Sequence, residues 1–163
     1  MKIEKEVLTK ENLKKIQAID DSFYANDITG IDWYLERYNE DHYAYFLKDD
    51  LSNVVGYILF VPIKKELYDA ITGGVLLNDV HINPNMFIKK SKYHYLFSAI
   101  INSQYRHKGY GKRLMETVLK DIDGDICCIA VSKEGYNLAN KYMKLKETLN
   151  DSVSIFVKKN NCF

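Results

Sequence analysis

The sequence predicts an α/β fold, with one domain over residues 1–163, a mixed central sheet of about six or seven strands, and helices on both faces. Three features of the sequence predict it. The apolar run Tyr93–Ile101, an amphipathic stretch to about Ile122 and the apolar run Ile126–Val131 make a strand-helix-strand crossover. Such a crossover sets its two strands parallel with a right-handed connection. Tyr43–Leu47 and Val54–Val61 flank the polar turn Lys48-Asp49-Asp50-Leu51-Ser52-Asn53, which is the pattern of an antiparallel hairpin. Lys146–Leu149 and Val153–Lys158 add a closing hairpin around Asn150-Asp151.

The remaining elements follow in order. Ile3–Leu8 reads as a first strand. Thr9 can cap the next helix through its hydroxyl, and Leu13, Ile16, Ile19 and Phe23 then recur at helical spacing. Asp32 is placed to cap a second short helix, Trp33–Tyr38. Lys64–Phe87 reads as irregular, with one helical turn near Glu66–Ile71 broken by Gly73-Gly74. Tyr93–Ile101 is apolar on both faces, as a central strand covered on both sides should be. After the loop Asn102–Gly109, a helix carries Leu114, Met115, Val118, Leu119 and Ile122 on one stripe, and Gly124 ends it. Ser132 can cap a last helix carrying Tyr136, Leu138, Ala139, Tyr142 and Met143.

Composition narrows the function classes. The chain has 163 residues, 47% hydrophobic and 28% charged, the balance of a globular protein with a core of its own. A net charge of +1 gives no global attraction to nucleic acid or an anionic membrane, so an anion site must come from local clustering. Cys127, Cys128 and Cys162 form no disulfide framework and no Cys-x-x-Cys pair. The adjacent pair reads as small apolar residues in a buried strand, and a reducing compartment is expected. Met1–Lys15 holds no signal-peptide stretch, and the longest apolar runs, Val54–Pro62 and Tyr95–Ile101, are far short of a membrane span. The expected location is the cytoplasm.

Chemistry concentrates in Tyr105–Leu114. Arg106, Lys108, Lys112 and Arg113 put four cations where a helix begins, at the positive end of its dipole, while Asp121 and Asp123 occupy the negative end. Each such placement is unfavourable by roughly 0.3–1 kcal/mol at the surface. An anion at the first end would reverse the sign there. Free amides at a helix start can cradle phosphate, and Gly109 and Gly111 let one approach the backbone without meeting a Cβ. A tight turn with a solvated basic face would look the same on composition alone. Dinucleotide and Walker loops are excluded. The third glycine position of the former is Leu114, with Ile129-Ala130-Val131 where its acid should stand, and the spacing of Gly109 and Gly111 does not fit the latter.

The segment resembles the GNAT superfamily of N-acetyltransferases, whose motif Arg/Gln-x-x-Gly-x-Gly/Ala lies between a central strand and a helix. Here Arg106-His107-Lys108-Gly109-Tyr110-Gly111 follows Leu96-Phe97-Ser98-Ala99-Ile100-Ile101 and precedes Lys112-Arg113-Leu114-Met115. The element order over nearly the whole chain is also similar. The resemblance implies that acetyl-CoA binds with its pyrophosphate on the amides of residues 106–112 and its pantetheine along the backbone of Ala99, Ile100 and Ile101. It implies a thioester in the gap where Ile126–Val131 splays from the central strand, and direct attack by a primary amine of a small molecule or peptide.

For catalysis the resemblance implies a tyrosine acid on the last helix, in the pattern Ala-x-x-x-Tyr followed by Gly-Phe. This chain reads Ala139-Asn140-Lys141-Tyr142-Met143-Lys144, with the tyrosine one residue early and no Gly-Phe. Either Tyr142 is the acid in a shifted register, or Met143 takes that place and there is none. Tyr142 can equally be a core aromatic of an amphipathic helix. Asn137 is a candidate cofactor contact in the same register. Asp79, His81 and Ser98 are candidates for the base, and Phe23, Tyr24, Asn26 and Asp27 match the acceptor loop of similar proteins. A coenzyme A-binding module without catalysis is the alternative reading. Acetylation of a nucleic-acid-linked amine is disfavoured, because the cationic stretch is short and the cofactor accounts for it. A homodimer through the C-terminal strands is common among similar proteins.

Overall fold

A computed structural model describes residues 1–24, 30–150 and 152–158. Its elements run β1 (Lys2–Val7), α1 (Lys10–Phe23), α2 (Ile31–Arg37), β2 (Tyr43–Lys48), β3 (Val54–Pro62), α3 (Lys65–Thr72), β4 (Tyr93–Ile101), α4 (Tyr110–Asp121), β5 (Asp125–Ala130), α5 (Lys133–Tyr142), β6 (Lys144–Asn150) and β7 (Val153–Lys158). Short 3₁₀ turns stand at Asp79–His81, Pro84–Met86 and Ser103–Tyr105. The sheet has seven strands in the order β1-β2-β3-β4-β5-β7-β6. β4 and β5 are parallel, as the crossover requires, while β1 with β2, β5 with β7, and β6 with β7 are antiparallel. The fold is therefore α/β with a mixed sheet, and β4 is its middle strand.

Two compact units divide the chain, Met1–Leu59 with Ser98–Asp121, and Phe60–Phe97 with the residues from Ile122 onward. In the first, Thr9 caps α1 by accepting from the Asn12 amide at 3.2 Å, and Leu13, Ile16 and Ile19 are buried. Phe23, expected on the same stripe, is 40% exposed. Asp32 does not cap α2. The helix begins at Ile31, two residues before the expected Trp33 and behind Gly30, and leaves Asp32 in the first turn, where a carboxylate still meets the positive end of the dipole. On α4 the expected stripe is present, with Leu114, Met115 and Val118 buried. β4 is not covered on both sides throughout, for its later residues Ser98 and Ala99 are half-buried and exposed.

In the second unit, the stretch expected to be irregular holds the two-turn helix α3 and two 3₁₀ turns. The apolar residues Leu67, Tyr68 and Ile71, at helical spacing, are all buried. Tyr68 stacks near Tyr93, with ring centroids 4.9 Å apart, and Tyr93 is level with Asp125 on β5. Met143, capping α5, places its sulfur 3.9 Å from Cys128 on the other side of β5, since Cys128 lies an odd number of residues from Asp125. Helices α3 and α5 thus cover opposite faces of this strand. Ser132 caps α5 by accepting from the Gly135 amide at 3.0 Å.

Gly124 ends the α4 region for a reason beyond helix termination. Its φ is +142°, and a Cβ there would fall 2.3 Å from the Lys92 carbonyl, which accepts from the Asp125 amide at 2.7 Å. Gly124→Ala is expected to cost about 1–3 kcal/mol or more, as overpacking against backbone does. Chemical denaturation checks it, and a loss below about 0.5 kcal/mol would contradict the contact.

Candidate functional site

The basic loop is built from the end of β4. Gly56 on β3 allows a close approach there, for a Cβ would stand 2.8 Å from the Ile100 carbonyl. The Asn102 amide donates to the Val55 carbonyl at 2.9 Å and closes the strand. The chain then makes the 3₁₀ turn at Ser103–Tyr105 and enters α4 through two left-handed residues, His107 at φ 59° and Gly109 at φ 79°. The first backbone bond into the helix is Arg113 N–H to the Gly109 carbonyl at 3.1 Å. The amides before it have no helical acceptor and open outward. A Cβ on Gly109 would meet nothing within 4 Å, so the space over the loop is open, and one on Gly111 would meet only the Ile101 side chain at 3.5 Å.

The cations of this segment are arranged unequally. Arg106 is half-buried; its Nε donates to the Ile101 carbonyl at 2.8 Å and its guanidinium stands 4.8 Å from the Phe23 ring centre. Lys108, Lys112 and Arg113 are exposed, as is His107. Lys108 reaches the Tyr105 ring at 5.7 Å, Arg113 the Tyr110 ring at 5.9 Å, and Lys112 the Glu116 carboxylate at 3.8 Å. At the far end of α4, Asp121 accepts from Lys5 at 2.7 Å and from the Tyr45 hydroxyl, which together hold its carboxyl below the usual range. A cavity of about 290 Å³ lies beside the loop, lined by Ser22, Phe23, Ile100, Asn102, Ser103 and Arg106 among others.

A carboxylate network lies in the same unit. Asp20 accepts from the Tyr34 hydroxyl at 2.6 Å and from the Tyr57 hydroxyl at 2.5 Å, and Tyr57 lies 3.0 Å from the Ser98 hydroxyl. Burial pushes the Asp20 carboxyl up, against the two tyrosine donors, which pull it down. Sequence reasoning missed this network. The available signal was Asp20 itself, which continues the spacing of Leu13 and Ile16 and so puts an acid on a buried stripe. Ser98, a candidate base, is joined to it. Asn26 and Asp27, candidates for acceptor contact, lie outside the described residues.

The second unit holds the other candidates. Asp79 accepts a hydrogen bond from the buried Tyr95 hydroxyl of β4, while His81 is exposed. Asn137 is exposed on α5, Tyr142 is half-buried as the last residue of that helix, and Met143 is buried. Cys127 and Cys128 are buried and unbridged, and burial pushes the Cys128 thiol up to about 12. Among the described residues no cluster of His, Cys, Asp and Glu could hold a metal ion, and no helix is long and apolar enough to cross a membrane.

No curated protein sequence matches this chain. Solved structures of similar fold cover nearly all of it. A GNAT-like decarboxylase, GphF, in complex with isobutyryl-CoA superposes with a TM-score of 0.72 at 11% identity, covering 99% of this chain and 100% of that one. The loading GNATL domain of CurA from Lyngbya majuscula gives 0.69 at 13% identity, covering 98% of each chain. Arabidopsis thaliana NAA60 in complex with acetyl-CoA gives 0.61 at 12% identity, covering 97% and 99%. At such identities the likeness shows the fold. The model of the acetyltransferase (GNAT) family matches residues 11–139, which include the basic glycine loop and most of α5. This chain belongs to the GNAT acetyltransferase family.

Proposed function

We propose that this protein transfers an acetyl group from acetyl-CoA to a primary amine by direct attack on the thioester. The observation that carries the reading is the open, left-handed glycine loop at the start of α4, with outward amides and cations around it. The residues fit a pyrophosphate: the space over Gly109 is free of protein atoms, and Lys108 and Lys112 are exposed to meet its charge. His107, Tyr110 and Gly111 complete the loop backbone. Arg106 acts differently from the other cations. Its bond to the Ile101 carbonyl holds the loop to the strand. Pairing with the pantetheine amides falls to the backbone of Ala99, Ile100 and Ile101.

The amine nitrogen bonds to the acyl carbon, the carbon–sulfur bond breaks, and the thiolate leaves. Tyr142 supplies the proton to sulfur in this reading. Its neighbour Met143 is buried against Cys128 and carries no acidic proton, so Tyr142 is the phenol at the end of α5. Asn137, exposed on the same helix, is the proposed cofactor contact there.

Acetyl-CoA at 100 times its dissociation constant is expected to stabilise the protein by about 2.7 kcal/mol. That is a melting shift of roughly 5–10 °C for this length. Gly109→Val is expected to abolish the shift, since the side chain fills the open space and φ 79° is strained for valine. No shift with the wild type at millimolar acetyl-CoA would refute the proposal. A shift without thiol release across a panel of polyamines, amino acids, aminoglycosides and peptides would leave a coenzyme A-binding module.

A further inference from the structure

We infer that Asp79 is the base of this reaction, the carboxylate that takes the proton the acceptor amine loses as its nitrogen attacks the thioester. The inference rests on the acyl-transfer reading above and adds the residue that the reading lacks.

The geometry singles Asp79 out in two ways. First, it is anchored to β4 at a particular rung. The rungs between β4 and β5 are Tyr93 with Asp125, His94 with Ile126, and Tyr95 with Cys127. Tyr95 is the last of them, is wholly buried, and gives its hydroxyl proton to Asp79 Oδ1. In the acyl-transfer reading the reacting thioester lies where these strands part, and the same strand goes on to Ala99 and Ile100.

Second, Asp79 has an oxygen to spare. Among the described residues its carboxylate takes no hydrogen bond or ion pair other than that from Tyr95. The contrast with Asp20 is instructive. Both Asp20 oxygens accept from tyrosine hydroxyls, one at 2.6 Å and one at 2.5 Å, so neither is left without a partner as one oxygen of Asp79 is. His81 is exposed, without the anchoring that holds Asp79.

The surroundings suit the task. Asp79 is half-buried; the Tyr95 hydroxyl from β4 bonds to it, Cys127 is level with Tyr95 on β5, and the Cys128 thiol is near enough to Asp79 to interact with it electrostatically. None of them is a cation. Burial therefore pushes the Asp79 carboxyl up to about 6, against the Tyr95 bond, which pulls it down. A base near the working pH is ionised enough to accept a proton and basic enough to hold it through the transition state. The balance is simple. The nitrogen pair forms the amide bond, the N–H proton passes to Asp79, and the carbon–sulfur pair leaves with sulfur, which is protonated by Tyr142 or water. Asp79 then returns its proton to solvent.

The test compares wild type, Asp79→Asn and Tyr95→Phe in thiol release with the amine panel from pH 5 to 9. Melting shifts with acetyl-CoA are measured alongside. The wild type should show an acidic limb in kcat/KM near pH 6. Asp79→Asn should lower kcat/KM by about 10²–10⁴-fold and lose that limb while keeping its acetyl-CoA shift. Tyr95→Phe removes the donor that favours the ionised carboxylate, so its limb should move to higher pH, which a merely structural tyrosine would not cause. Turnover by Asp79→Asn with the limb unchanged would overturn the inference and leave acyl transfer standing. An unmoved limb in Tyr95→Phe would also overturn it. A wild type that neither shifts with acetyl-CoA nor releases thiol would remove the reading beneath it.

Discussion

Asp79→Asn is expected to make the protein more stable at pH 7, by about 3 kcal/mol. A carboxyl with an ordinary value of 3.8 that stands at about 6 in the folded state is one the fold prefers protonated. Between those values the native state holds more protons than the unfolded chain, so the free energy of unfolding falls as pH rises from about 4 to about 6. The gap, at 1.36 kcal/mol per pH unit, gives the figure of about 3 kcal/mol. Asparagine keeps an acceptor for the Tyr95 hydroxyl and removes the charge. Near pH 4 the two proteins should melt together, and at pH 7 the variant should melt about 6–12 °C higher. Equal melting at both pH values would show that burial does not perturb this carboxyl. A residue that costs stability and is offset elsewhere in the fold is the pattern that functional sites show.

Tyr142→Phe is expected to lower kcat by about 10²–10⁴-fold with the acetyl-CoA melting shift unchanged. The variant removes one oxygen and keeps the ring. Packing should hold, because the ring is kept and Met143 anchors the end of α5 against Cys128. An unchanged kcat would leave the thiolate to depart without an acid, which its modest basicity permits at some loss of rate.

The parts of this fold that the sequence made legible are those governed by neighbours along the chain. The bounds of β4 are those expected, Tyr93–Ile101, and Thr9 and Ser132 cap the helices they were expected to cap. Side chain to amide bonds three residues apart need no knowledge of the rest of the molecule. The GNAT fold and family were legible through the loop, where spacing and residue type coincide. Long-range partners were not. The two acids at the end of α4 were expected to break the dipole rule. Asp121 is instead paired with Lys5 and Tyr45, 116 and 76 residues away in the sequence. The Asp20 network joins residues 14 to 41 apart, and Asp79 meets Tyr95 across 16. No periodicity encodes such meetings. α3 exceeds the one turn that the sequence suggests near Glu66–Ile71, because its stability comes from burying Leu67, Tyr68 and Ile71 rather than from local signals.

The left-handed turn at His107 has a consequence for the entropy of association. Glycine adopts φ 59° freely, but it also leaves the unfolded chain with more conformations to lose; histidine narrows that ensemble and accepts the strain of a positive φ when the chain folds. With Arg106 tying the same loop to the Ile101 carbonyl, its backbone is shaped before any ligand arrives. An anion that docks on the amides of Gly109 and Gly111 then has no loop to freeze, and more of its interaction energy appears as affinity.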